Sequence, residues 1–311
     1  MMMVWIALCA ILVIGVSVLL AAFVCFLLVF HSPRKECKEE YPIPEGAIYE
    51  EYRAQMTEWI KQMRNREHRC VQTPSFDGLT LRGKYFEFEK GAPIDLLFHG
   101  YRGWAERDLC GGVERCFMLG HNVLVVDHRA SGESEGHIIT FGINESRDCE
   151  AWVDFILREI DPEAKIYLGG VSMGAATVMI AAGRELPEQV KAAVADCGYT
   201  SAREIIQKVI RELKLPPKLL YPFVKLGARI FGHFDLEEAT PIDAMKQAKI
   251  PVIFFHGDTD AFVPFAMSKQ NFEACVTQKK LVTVKGAGHG LAYPKDPKQY
   301  VKELRDFFDR L

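Results

Sequence analysis

The run Lys165-Ile166-Tyr167-Leu168-Gly169-Gly170-Val171-Ser172-Met173-Gly174 reads as a β-strand that breaks into a sharp turn carrying a serine. Ala175 to Gly183, small and apolar, then reads as a helix. Gly-x-Ser-x-Gly between a strand and a helix marks a nucleophile elbow. The strained turn lifts Ser172 Oγ clear of the sheet and points backbone N–H groups at the reacting centre. Gly170 and Gly174 have no Cβ to clash where strand and helix nearly touch.

The chain supplies its own control. Gly132-Glu133-Ser134-Glu135-Gly136 matches the same pattern. Polar and small residues separate it from the strand-like run Asn122 to Asp127, and no apolar helix follows. Two glutamates beside the serine would also oppose a developing oxyanion. Context therefore selects Ser172 over Ser134.

Met1 to Phe30 carries no charged residue and is nearly all apolar. A membrane span needs roughly 20 such residues, so a tilted transmembrane helix fits. No Lys or Arg precedes the run, and it is too long for a cleaved signal peptide. Arg34, Lys35 and Lys38 follow it closely, which places the C-terminal body in the cytoplasm by the positive-inside rule. Nine scattered cysteines without paired spacing agree, reading as reduced thiols. No Cys-x-x-Cys or His-x-x-x-His spacing occurs, so neither a metal nor another cofactor is expected. A formal net charge of −3 with interspersed signs gives no electrostatic case for a nucleic-acid partner.

His31 to Gly46 is polar, holds Pro33, Pro42 and Pro44, and reads as a linker. Ile48, Tyr52, Met56, Trp59, Ile60 and Met63 recur at helical spacing, which predicts one amphipathic helix packed on the core. From Cys70 onward strands and helices alternate. Cys70–Thr73 and Leu79–Phe88 flank the turn signal Asp77-Gly78. Ile94–His99, Asn122–Asp127, Lys165–Gly169, Val190–Asp196, Pro251–His256 and Lys280–Val284 are further short strands. Continuous apolar strands with helices between them predict an α/β fold with a mainly parallel sheet covered on both faces. Ala202–Leu213 and Lys218–Phe231 interrupt the alternation. They read as a small helical cap, either packed on its own domain or acting as a lid that lines an acyl pocket or touches the membrane.

A serine hydroxyl needs a base, and the base needs an orienting acid. On this architecture the acid follows the serine in the chain and the histidine comes last. His256-Gly257-Asp258-Thr259-Asp260 follows a strand and offers Asp258 and Asp260. Gly288-His289-Gly290 follows the final strand. Asp196 ends an earlier strand and is the runner-up acid. His99, His121, His128, His137 and His256 have no comparable placement.

Five motifs in this order resemble the α/β-hydrolase superfamily: His99-Gly100-Tyr101-Arg102-Gly103, Asp127-His128-Arg129, Gly170 to Gly174, Gly257 to Pro264 and Gly288-His289. The resemblance covers about Glu51 to Leu311. It is strongest to membrane-anchored bacterial serine hydrolases of the serine-aminopeptidase/lysophospholipase-like group. Beside the anchor at 1–30 and the linker at 31–46 read from composition, it implies an α/β-hydrolase fold over 47–311 with a helical cap near 200–247. It assigns the orienting acid to Asp260 and leaves Asp258 as a turn former. It also gives the oxyanion hole to the N–H groups of Tyr101 and Met173. Ala130 and Ser131 depart from the family's glycine-rich continuation after Arg129, in a loop expected to brace rather than react.

The expected activity is a serine hydrolase cleaving a carboxylic ester or thioester, lipid-like, through an acyl-enzyme on Ser172, with His289 as base. A serine peptidase acting on short peptides is the alternative within the same chemistry. A catalytically silent, membrane-bound binding module is the alternative outside it.

Overall fold

The computed structural model describes residues 1–33 and 39–311. The flanking charges Arg34, Lys35 and Lys38, and Cys37, lie outside the described residues. Among the described residues eight strands form one sheet: β1 (Arg69–Pro74), β2 (Thr80–Phe86), β3 (Ile94–Phe98), β4 (Asn122–Val126), β5 (Ile166–Val171), β6 (Val190–Asp196), β7 (Val252–Gly257) and β8 (Lys279–Val284). Their order is β1-β2-β4-β3-β5-β6-β7-β8. β1 and β2 are a hairpin turned at Asp77-Gly78, where Gly78 has φ +89°. β2 also runs antiparallel to β4, and every pairing from β4 to β8 is parallel. β3, β4 and β7 are buried at every residue, which is why they read as unbroken apolar runs.

The helices are α1 (Met2–Val29), α2 (Ala47–Glu50), α3 (Arg53–Asn65), α4 (Ala105–Leu119), α5 (Ile143–Glu159), α6 (Met173–Ala182), α7 (Ala202–Glu212), α8 (Pro217–Phe231), α9 (Pro241–Met245), α10 (Phe265–Ala274), α11 (Ala292–Lys295) and α12 (Pro297–Phe308). α3, α4 and α12 cover one face of the sheet, through Trp59, Val113 and Phe307. α5 and α6 cover the other, through Trp152 and Val178. Each large side chain buried this way contributes roughly 1.5–3 kcal/mol of transfer free energy. α6 is buried at every position, so it carries no amphipathic pattern.

Two expectations change, and one left open is narrowed. The helix foreseen over Ile48–Met63 is two pieces, because Tyr52 leaves helical geometry at φ −103°, ψ 4°. The segment 31–46 is tied down at both described ends. Ser32 N–H donates to His137 O at 2.9 Å, which pairs otherwise unsatisfied backbone, and Ile43 is buried in the core. Of the two readings of the cap, the structure takes the one packed on its own domain, and among the described residues none of α7 or α8 lines the cavity described below. α7 and α8 bury Ile205, Val224 and Ala228 in a third apolar cluster with Phe26 and Phe30 of the N-terminal segment and Phe141 and Phe234.

α1 is long and apolar enough to cross a membrane, with a mean hydropathy of 3.1 over its best window, and fits a single-pass anchor. Its residues up to Leu20 are almost wholly exposed, about 30 Å of helix and the thickness of a bilayer's hydrocarbon core. Its last third packs on α8. There Gly227 allows close approach, since a Cβ on it would lie 2.4 Å from Ala22 O.

Candidate active site

β5 ends at Val171 and α6 begins at Met173, so the whole chain reversal falls on Ser172. Its φ of +57° and ψ of −112° lie where L residues rarely go. The glycines on either side answer to packing. A Cβ on Gly170 would sit 2.1 Å from Gly174 O, and one on Gly174 2.1 Å from Phe98 O. Met173 is the first residue of α6, so its N–H is one of the donors a helix start leaves without an intrahelical acceptor.

The loops after β7 and β8 bring two more groups to the serine. His289 Nε2 is 2.9 Å from Ser172 Oγ, and His289 Nδ1 is 2.8 Å from Asp260 Oδ2. Asp260 Oδ1 accepts the N–H groups of Phe262 at 2.9 Å and Val263 at 2.8 Å. Burial pushes the Asp260 carboxyl up. Hydrogen bonds from His256 and His289, the His289 charge and the Val263 N–H outweigh that and hold it well below the usual range. Asp260 is therefore an acceptor for the imidazole N–H at any working pH. Phe262 lies edge-on to His289, ring centroids 4.9 Å apart, and limits the imidazole's swing.

The neighbouring carboxylates take other roles. Asp258 Oδ1 accepts Gly286 N–H at 2.6 Å and ties the two loops together. Asp196 Oδ2 accepts the Tyr300 hydroxyl at 3.1 Å. His256 bonds Ser268 Oγ at 2.6 Å and Val263 O at 2.8 Å, holding the loop that carries Asp260.

The loop after β3 completes the wall. A Cβ on Gly100 would be 3.7 Å from Ser172 Cβ, so the turn lies against Ser172. His99 Nδ1 donates to Gly100 O at 2.7 Å, and Gly100 N–H donates to Asp108 Oδ2 at 3.2 Å. Burial holds His99 below its ordinary pKa, which keeps the ring neutral and able to accept the His128 N–H on Nε2 at 3.0 Å. Asp127 and Arg129 brace from behind. Asp127 accepts Ala105 N–H and Glu133 N–H, and Arg129 pairs with Asp148 and Asp77.

Ser172, His289 and Tyr101 line a cavity of about 490 Å³. Its other walls come from unexpected places: Ile48 and Tyr49 of α2, Trp59 of α3 and Tyr293 of α11. Among the described residues none of α7 or α8 lines it. Asp108, Tyr49 and Tyr293 carried no sequence signal, although an acid in the first turn of the helix after His-Gly-x-x-Gly would have been a reasonable place to look.

Among the described residues one trio could offer metal ligands, Cys197, Asp260 and His289, with donor atoms within 4.8 Å of one another. Burial holds the Cys197 thiol well above its ordinary range, and a metal needs the thiolate. Asp260 and His289 already bond each other, so the set suits proton transfer better than coordination.

A parallel sheet with a Gly-x-Ser-x-Gly elbow at a central strand end, and acid and imidazole on the loops after β7 and β8, decides the architecture. The chain has the α/β-hydrolase fold. A family model for that fold matches residues 96–233. The chain is similar to YqkD of Bacillus subtilis, 27% identical over 194 residues, which are 62% of this chain and 64% of that protein. It is also similar to the thiohydrolase aneE of Aspergillus aculeatus, 30% identical over 154 residues, 46% of this chain and 47% of that one. Each match spans less than two thirds of the relative. The Pyrococcus furiosus esterase Pf2001 superposes with a TM-score of 0.66 at 22% identity, covering 86% of this chain and 96% of the esterase.

Proposed function

We propose that the protein is a serine hydrolase that cleaves carboxylic esters or thioesters through an acyl-enzyme. The observation that carries this is the unbroken hydrogen-bonded run from Ser172 Oγ through His289 to Asp260, opening on a cavity. Ser172 Oγ attacks the carbonyl carbon while His289 Nε2 takes its proton. Asp260 holds the Nδ1–H and balances the imidazolium. The tetrahedral oxyanion is met by the N–H groups of Met173 and Tyr101. His289 then hands its proton to the leaving alcohol or thiol, and the acyl-enzyme forms. Water, deprotonated by the same imidazole, releases the acid and restores Ser172.

A lipid-like acyl group, as in a lysophospholipase or monoacylglycerol hydrolase, fits the aromatic and aliphatic walls and the apolar α1. Relatives named as an esterase and a thiohydrolase agree with the reaction class. α8 packs directly on α1, with Gly227 beside Ala22 and Phe26, and Phe231 beside Phe23 and Phe26. Leu213 and Leu215 just before α8, and Leu219 in its first turn, are exposed beside Lys214 and Lys218. Such a patch suits a bilayer surface. The body is expected in the cytoplasm.

A series of esters and thioesters of increasing acyl length, run beside aminoacyl amides on the full-length protein in detergent, tests this. Turnover that rises with acyl length supports the lipid-like reading. Faster cleavage of the amides would replace it with a peptidase.

A further inference from the structure

The oxyanion loop is held from two sides. On the body side, His99 and Asp108 fix Gly100. On the other side the partner is α1. The Tyr101 hydroxyl donates to Val29 O at 2.7 Å. Arg102 Nη2 donates to Leu28 O at 3.0 Å and to His31 O at 2.9 Å. These carbonyls lie at the end of α1, where the last C=O groups have no intrahelical N–H donor and where the dipole favours a cation. Arg102 itself has φ +53°, a backbone state that persists only where its surroundings enforce it.

The end of α1 is well placed to enforce it. Phe30 is fully buried, its ring edge-on to Phe141 at 5.9 Å and to Phe234 at 5.3 Å. Phe30 O accepts Ile139 N–H at 2.9 Å. Helix, cap and oxyanion loop thus form one continuous packed unit.

We propose that the end of α1 is part of the catalytic apparatus. The Tyr101 hydroxyl and the Arg102 guanidinium are positioning groups that, by binding α1's terminal carbonyls, set the Tyr101 N–H towards the developing oxyanion. The inference rests on the hydrolase reading above. Its consequence is specific. A loosened donor weakens the transition state more than the ground state, so kcat falls while KM holds. Losing an oxyanion donor outright costs about 10²–10³ in kcat, and misplacing one costs less.

The test uses full-length protein in detergent, with kcat expressed per active site titrated by a fluorophosphonate, so that misfolded molecules drop out. Tyr101→Phe keeps the ring and the N–H. Arg102→Met removes the donor, and Arg102→Lys can still reach a carbonyl. The double variant Tyr101→Phe/Arg102→Met is expected to lose about 10–100-fold in kcat with KM within about twofold. Arg102→Lys should recover most of the loss seen in Arg102→Met. Gly227→Leu, which drives α1 off α8 without touching the loop, should lower kcat in the same way. Wild-type kcat per titrated site in the double variant overturns the proposal, as does a loss that appears only in KM. If Ser172→Ala hydrolyses esters as fast as wild type, the hydrolase reading itself falls, and this inference with it.

Discussion

Gly132-Glu133-Ser134-Glu135-Gly136 and Gly170-Val171-Ser172-Met173-Gly174 share one pattern and fold oppositely. In the first, the left-handed backbone falls on the glycines, with φ +52° at Gly132 and +98° at Gly136. Ser134 is left relaxed and fully buried. Its Oγ accepts Arg82 N–H at 2.8 Å and donates to Asp127 O at 2.7 Å, stitching the loop to β2. In the second, the glycines make room and the serine itself takes φ +57°. Its hydroxyl meets an imidazole instead of a backbone. A non-glycine residue held in such a state costs of order 1–3 kcal/mol. The strain sits on Ser172 and spares Ser134, and that is the structural difference between the two matches to one pattern.

The sharpest way to break this contrast is to remove each hydroxyl. Ser172→Ala is expected to abolish fluorophosphonate labelling and lower ester turnover on the order of 10⁶-fold, the cost of losing the serine in a well-studied serine protease. Ser134→Ala should keep both. Labelling that survives Ser172→Ala, or vanishes in Ser134→Ala, reverses the assignment.

The partners of Ser172 give the next largest effect. Asp260→Asn keeps the shape but offers the imidazole the wrong hydrogen-bonding partner, and a loss of about 10⁴ in kcat is expected. Asp258→Asn, whose Asp bonds a backbone amide in the turn, should cost far less. Steady-state kinetics on both would expose a wrong acid by inverting that order.

The elbow, the acid loop and the final histidine were legible because each is short, local and framed by a strand. Parallel strands buried on both faces also announce themselves as apolar runs. The cavity wall was not legible. Ile48 and Tyr49 look like any amphipathic turn, and periodicity reports that a face is buried but not what it is buried against. The amphipathic pattern of α8 had the same ambiguity, and α1 rather than substrate turned out to occupy much of that face. The bonds from Tyr101 and Arg102 to α1 join side chains to backbone carbonyls some 70 residues away, which no local motif records.

Ser134 should matter for stability where it does not matter for chemistry. Removing its Oγ leaves a partly buried Arg82 N–H and Asp127 O without that partner, at about 1–3 kcal/mol for a buried group so stranded. Urea denaturation of Ser134→Ala should show a lower midpoint at unchanged slope. An unchanged midpoint would mean that the first motif is not the brace described above.

The smallest effect concerns Asp196, whose backbone carbonyl accepts Ser172 N–H at 2.8 Å. Burial pushes its carboxyl up to about 6, against the opposing pull of His256, the Tyr300 hydroxyl, Arg115 and His289. In the unfolded chain the group titrates near 3.9. Between about pH 4 and 6 the folded state therefore holds the proton more tightly than the unfolded state. Stability falls as pH rises through that window and levels off above it. Asp196→Asn removes the ionisation and keeps an acceptor for Tyr300, so it should stabilise the protein above pH 6 by on the order of 2 kcal/mol, and by nothing near pH 4. Thermal unfolding of both proteins across pH 4–8 reads this directly. A variant that is less stable than wild type at pH 8 would mean that the charged Asp196 supports the elbow, and the strain at Ser172 would then have an electrostatic prop that Ser134 lacks.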